Sequence, residues 1–112
     1  MKLDYVIAFV ADMESAVAFY RDSLGLTLRF QSPEWTEFET GSTTLALHAS
    51  SAANPGGTVR LGFGVADMAQ FAAQLQEHGL GFVDEPRAEH GVLLAEFADR
   101  AGTRYSVSAP SR

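Results

Sequence analysis

The sequence predicts an α+β fold: two tandem βαβββ modules forming a curved mixed sheet around a concave cleft, with the helices on the convex faces. Three observations carry this. The tetrapeptide Val-Ala-Asp-Met occurs twice, at residues 10–13 and 65–68. Each copy closes an apolar strand-like run and opens an amphipathic stretch. The third strands also match, with Glu37-Phe38 before one turn and Glu96-Phe97 before the other. A four-stranded module cannot bury both faces of its sheet alone, so two modules are expected to share a concave face.

Residues 3–10, Leu-Asp-Tyr-Val-Ile-Ala-Phe-Val, have the β-branched and aromatic character of a largely buried strand. Asp12 then caps a helix, because its carboxylate accepts from the free N–H groups of the first turn and favours the positive dipole end. Met13, Ala16, Val17, Phe19, Tyr20 and Leu24 supply an apolar face at helical spacing. Gly25 is the expected left-handed C-cap. Residues 26–31 alternate as a second strand, and Ser32-Pro33-Glu34 is a turn. Residues 35–39 and 43–48 are the third and fourth strands, joined at Thr40-Gly41-Ser42. Residues 49–58 are small and uncharged and read as a flexible linker.

The second module repeats the order. Residues 59–65 form a strand, and Asp67 caps a helix whose apolar face is Met68, Phe71, Ala72 and Leu75. Gly79 ends it. Residues 80–83 are a strand, 84–91 a polar loop with a proline, 92–98 a strand, 99–102 a turn and 103–109 the last strand. Module one is thus 1–48, the linker 49–58 and module two 59–112, within a single domain.

Composition narrows the function. The chain has 112 residues, one domain's worth, with 46% hydrophobic and 20% charged residues, as in a soluble globular protein. A net charge of −6 argues against nucleic acid, whose phosphates need a basic footprint, and suits a neutral or cationic ligand. There is no cysteine, hence no disulfide, thiolate ligand or Cys nucleophile. No apolar run approaches membrane-spanning length and the N-terminus enters a strand directly, so a cytoplasmic location is expected. No nucleotide fingerprint or Ser-His-Asp order is present.

The string Asp12…Phe19-Tyr20…Leu24-Gly25-Leu26, the Trp35…Phe38…Gly41 strand and turn, and Phe97-Ala98-Asp99…Gly102 resemble the vicinal oxygen chelate superfamily. This is the glyoxalase, bleomycin-resistance and extradiol-dioxygenase group, built from paired βαβββ modules. The resemblance covers nearly the whole chain. It implies up to four equivalent metal positions, His or Gln on the first strand of each module and Glu on the last. Carried over, these fall at Tyr5 and Arg60, each seven residues before a capping Asp, and at Ala46 and Ser106. Arginine has no lone pair to offer and alanine no donor, whereas divalent metals need several carboxylate or imidazole ligands. What remains resembles the metal-free members, which bind and sequester small toxic molecules. No metal and no cofactor are therefore expected, and family members usually form homodimers.

Strand alternation assigns the faces from those positions. Tyr5, Ile7 and Phe9 face inward, as do Thr44, Ala46 and His48. In module two Arg60, Gly62 and Gly64 face inward with Arg104, Ser106 and Ser108. Phe38 and Phe97 pack under the helices, which turns Trp35, Glu37, Leu94 and Glu96 inward. The expected ligand-binding set is Tyr5, Phe9, Trp35, Glu37, His48, Arg60, Glu96, Arg104 and Ser106. Such a face suits a flat aromatic or cationic ligand. Arg60 and Arg104 either recognise ligand charge or pair with Glu37 and Glu96. Trp35 either lines the cleft or sits at a rim or dimer interface. His48 is the candidate for acid–base work, alone or with Glu37 or Glu96, against the alternative of a strand-end histidine. His78 belongs to a helix end, and His90 to a loop that lies either at the surface or at the cleft mouth. The leading expectation is a metal-free small-molecule-binding protein, including one that sequesters an antibiotic or aromatic metabolite. The alternative is a lyase, isomerase or dioxygenase, metal-dependent through Glu37, His48 and Glu96 or metal-free through His48.

Overall fold

A computed structural model describes residues 1–111. The chain divides into two compact units, Asp4–Arg60 and the stretch from Leu61 onward together with Met1–Leu3. Each is a βαβββ module, and the architecture is α+β as expected.

In the first unit β1 (Lys2–Val10) leads into α1 (Met13–Ala18), followed by β2 (Thr27–Gln31), β3 (Trp35–Glu39) and β4 (Thr44–Ala49). Their order across the sheet is β2-β3-β4-β1. β1 and β4 run parallel, with Tyr5 opposite Thr44 and Phe9 opposite His48, while β3 is antiparallel to both β2 and β4. The Asp12 side chain accepts from the Ser15 N–H at 3.1 Å, the cap that its sequence position called for. Val17 from the helix meets Ala8, Phe38 and Leu47 in the core beneath it. Thr36 is fully buried there too, and its hydroxyl donates to the Met13 sulfur at 3.3 Å.

The helix corrects one expectation. From Phe19 to Ser23 the chain is a π-helical turn, closed by Leu24 N–H to Phe19 O at 3.1 Å. The wider turn rotates the residues after it, so Leu24 leaves the apolar stripe. Phe19 lies off the face made by Met13, Ala16, Val17 and Tyr20. Phe19 and Leu24 are 51% and 55% exposed, not core. Gly25, at φ +75°, ends the element as expected.

The linker is pinned rather than loose. Phe9 N–H donates to Thr58 O and Gly57 N–H to Phe9 O, both at 2.9 Å, so the segment pairs on β1. Ser51 and Asn54 close a turn within it.

In the second unit β5 (Val59–Gly64) begins at the unit boundary and leads to α2 (Met68–Glu77), β6 (Phe82–Glu89), β7 (Val92–Ala98) and β8 (Arg104–Pro110). The order is β5-β8-β7-β6, with β5 parallel to β8 and the other pairs antiparallel. Met68, Phe71 and Leu75 pack on Ala95, Val107 and Ala109, with Phe97 against Phe71. Asp67 caps α2 through Gln70 N–H at 3.0 Å.

The polar loop expected at 84–91 is instead strand as far as Glu89. β6 is the outer strand of its unit, so Pro86 removes no ladder hydrogen bond that the pairing needs, and the register shifts between Asp84 and Arg87 absorb it. The turn is only His90-Gly91, both at positive φ (52° and 83°), between the paired residues Glu89 and Val92.

Candidate functional site

Six of the nine expected site residues fall within the first unit, on the sheet face opposite α1. The register explains why. Glu37 pairs with Ala46 and Trp35 with His48 across β3 and β4, while Ile7 and Phe9 on β1 pair with Ala46 and His48. Ile7, Phe9 and Ala46 are buried there, with Tyr5 and Trp35 packed on them.

The rings form a continuous row. The Arg60 guanidinium lies 5.3 Å from the Phe9 ring centre. Phe9 to His48 is 5.4 Å, His48 to Trp35 5.9 Å, and Trp35 to Tyr5 5.7 Å. The last two contacts are edge-to-face, the arrangement that ring quadrupoles favour. Phe9 is only 5% exposed, so it supports its neighbours from below, and Tyr5, Trp35 and His48 carry the accessible part of the row.

Polar contacts fix these rings. Trp35 Nε1–H donates to Glu37 Oε2 at 2.8 Å. His48 Nδ1 lies 2.7 Å from the Ala49 carbonyl oxygen. A carbonyl only accepts, so Nδ1 carries the proton, and in the neutral ring the lone pair sits on Nε2. The orienter of His48 is thus a main-chain carbonyl rather than Glu37. Burial, and then the Glu37 charge, push the Tyr5 hydroxyl above its ordinary value of 10.0, against a smaller downward pull from Arg29. Tyr5 is therefore a phenol, and a hydrogen-bond donor, across the neutral range.

The partner of Glu37 corrects another expectation. It is Arg29, not Arg60: Arg29 Nε and Nη2 donate to Glu37 Oε1 at 3.1 and 2.9 Å. Arg29 also reaches Glu39 Oε2 at 3.1 Å and Thr44 Oγ1 at 2.6 Å. Arg60 donates to Asn54 Oδ1 at 2.6 Å, tying the linker to the end of the ring row. Neither Arg29 nor Asn54 was among the expected site residues. For Arg29 a signal existed: it alternates with Leu28, which packs under α1, so strand period alone puts Arg29 on the ring face.

The other three expected residues, Glu96, Arg104 and Ser106, lie in the second unit. Arg104 Nη2 donates to Glu96 Oε1 at 3.0 Å, the pairing anticipated for these two. Ser106 pairs in register with Glu96 on one side and Gly62 on the other. His78 is the C-cap residue of α2, and its carbonyl accepts from Arg100.

A chain of two βαβββ modules, each with a helix over one sheet face and polar side chains on the other, joined in the first module by a row of aromatic rings, is of the paired-module class. The sequence matches the family model of the Glyoxalase/Bleomycin resistance protein/Dioxygenase superfamily over residues 2–107, and the chain belongs to that superfamily. No curated protein matches it. Solved structures share its fold. Methylmalonyl-CoA epimerase from Mycobacterium tuberculosis has a TM-score of 0.79 at 20% identity, covering 99% of this chain and 89% of that one. A Streptomyces coelicolor methylmalonyl-CoA epimerase variant in complex with 2-nitronate-propionyl-CoA has 0.75 at 19%, covering 99% and 95%. A superfamily member from Vibrio splendidus 12B01 has 0.71 at 14%, covering 94% and 96%.

The residues at the four positions that the family resemblance assigns to a metal do not fit a divalent cation. Tyr5 holds its proton, Ala46 is fully buried without a donor, and Arg60 is a guanidinium over Phe9. Ser106 offers only a hydroxyl. Glu37 is bound to Arg29 and Trp35, and Glu96 to Arg104. Among the described residues no group of three or more His, Asp, Glu or Cys is placed to hold a metal.

Proposed function

We propose that this member of the superfamily is a metal-free small-molecule-binding protein that sequesters a planar aromatic or cationic compound in the cytoplasm. The observation that carries this is the fixed ring row: Tyr5, His48 and Trp35 in edge contact, with the indole tied to Glu37. Such rings stack on a flat ligand, and fixing them before binding lowers the ordering cost of association. Calorimetry against planar compounds, with metal analysis of the purified protein, tests it. Low-micromolar binding without metal is expected; stoichiometric zinc, iron, manganese or nickel would overturn the reading.

One observation favours a second reading, metal-free proton transfer by His48. Its Nδ1 is held by the Ala49 carbonyl, which leaves Nε2 as a base. Incorporation of solvent deuterium next to a thioester carbonyl, such as that of methylmalonyl-CoA, would detect it, and His48→Asn should abolish it. As for assembly, a small core in each module favours a homodimer. Light scattering coupled to size exclusion measures that directly.

A further inference from the structure

We propose that Arg29 sets the charge preference of the ring face: by engaging Glu37 and Glu39 it withdraws both carboxylates from ligand recognition, so the face selects uncharged planar compounds over cationic ones. This rests on the reading of that face as ligand-binding and narrows it.

The geometry is specific. Two guanidinium nitrogens of Arg29 share Glu37 Oε1, and the third reaches Glu39 Oε2. The remaining oxygen of Glu37, Oε2, accepts from the indole of Trp35. Both oxygens of the acidic group nearest the rings are therefore engaged, one by a permanent cation and one by the platform itself. Glu39 Oε1 accepts from the Gly41 N–H at 3.1 Å. The Glu37 side chain is 20% exposed, so its pairing with Arg29 is screened less than a fully solvated one. A cationic ligand on Trp35 would be repelled by the Arg29 charge that shares Glu37 with the indole, and an uncharged ring in the same place would not. The planar fork of arginine matters, because a lysine supplies the charge without spanning two carboxylates and a hydroxyl.

The test uses quinoline and N-methylquinolinium at pH 8, a pair matched in ring shape and differing by one charge. Affinities are read by titration calorimetry and by quenching of Trp35, the only tryptophan in the chain. Wild type is expected to bind quinoline more tightly. Arg29→Gln should invert the preference, with about a tenfold gain for N-methylquinolinium, since Glu37, the carboxylate beside the rings, then lacks its cationic partner. Arg29→Lys should keep the wild-type order by a smaller margin, because lysine supplies the charge without the fork that holds both carboxylates. Adding Glu37→Gln to Arg29→Gln should remove the gain, which separates a charge effect from disturbed folding. Circular dichroism confirms that each variant is folded, as expected for a side chain 39% exposed on an outer strand. Equal or tighter binding of N-methylquinolinium by wild type would overturn the inference and leave ligand binding standing, as would an Arg29→Gln variant with unchanged preference. Binding of neither compound by wild type would remove the ligand-binding reading and this inference together.

Discussion

Trp35 and Glu37 stand two residues apart on β3 and on the same face, and the indole N–H of one donates to the carboxylate of the other at 2.8 Å. Strand period makes them neighbours, and the register that sets Glu37 opposite Ala46 leaves no bulk across the sheet to push the indole away. The pair therefore holds a large aromatic in one orientation, half-buried, on the face opposite the helix. Glu37→Leu should red-shift Trp35 emission and raise its acrylamide quenching, because the indole loses its acceptor. Trp35→Ala should weaken binding of a planar ligand by about tenfold, with Trp35→Phe in between, as stacking and buried ring area are lost in steps. Fluorescence and calorimetry check the two halves separately.

The core on the helix side makes a contrast between two phenylalanines. Phe38 is fully buried against Val17, Leu47 and Tyr20, whereas Phe19, on the π turn, is half exposed. Phe38→Ala should cost about 3–5 kcal/mol of stability through lost burial and the cavity left behind. Phe19→Ser should change it by no more than about 0.5 kcal/mol. Chemical denaturation with a common m-value measures both.

The fold was legible because its signals are local. The duplicated Asp caps, the glycines after each helix and the alternation of β1, β3, β4 and β7 are short-range rules that tertiary packing did not override. The misses have physical causes of longer range. Pro86 read as a loop because whether a strand is outermost depends on pairing partners far along the chain. The π turn followed from no single residue, and it moved Phe19 and Leu24 off the core. On the ring face the alternation placed Tyr5, Trp35, Glu37 and His48 together. It could not choose which guanidinium meets Glu37, since that depends on the register between β2 and β3, which shifts between Leu28 and Phe30.

The hairpin from β6 to β7 turns on His90 and Gly91, both in the left-handed region. Gly91→Ala should cost about 1–2 kcal/mol, the penalty of a Cβ in that conformation. His90→Gly should be neutral or stabilising for the same reason, because it relieves the strain already present. If His90→Gly instead weakens ligand binding with stability unchanged, His90 has a role beyond the turn.

Asp99 anchors the turn before β8. Its carboxylate accepts from Thr103 N–H at 2.9 Å, Ala101 N–H at 3.0 Å and the Tyr105 hydroxyl at 3.1 Å. The Thr103 amide, then the smaller contributions of Tyr105, Ala101 and Gly102, hold its pKa below the ordinary 3.8. A lowered folded-state pKa stabilises the fold above the unfolded value and is lost as pH falls through the folded one. Asp99→Asn should therefore be less stable than wild type at neutral pH. The gap should narrow as pH drops below 3.8 and close beneath Asp99's own lowered value. Thermal melts of the two proteins across that range measure it.

Tyr5 titrates in the opposite direction, and its neighbours give the sign of each substitution. Burial raises it above 10.0, Glu37 raises it further, and Arg29 pulls it down. A raised folded-state value means that the folded chain keeps the proton longer than the unfolded chain. The associated stability is fully present below 10.0 and is lost as pH climbs through the Tyr5 value. Tyr5→Phe should remove that part of the alkaline loss and leave the neutral range unaffected by it. The difference in tyrosinate absorbance between wild type and Tyr5→Phe isolates Tyr5 from Tyr20 and Tyr105. Arg29→Gln should move its midpoint up, because the lowering charge is gone, and Glu37→Gln should move it down. If both variants moved the midpoint the same way, the placement of Arg29 and Glu37 around Tyr5 would be wrong.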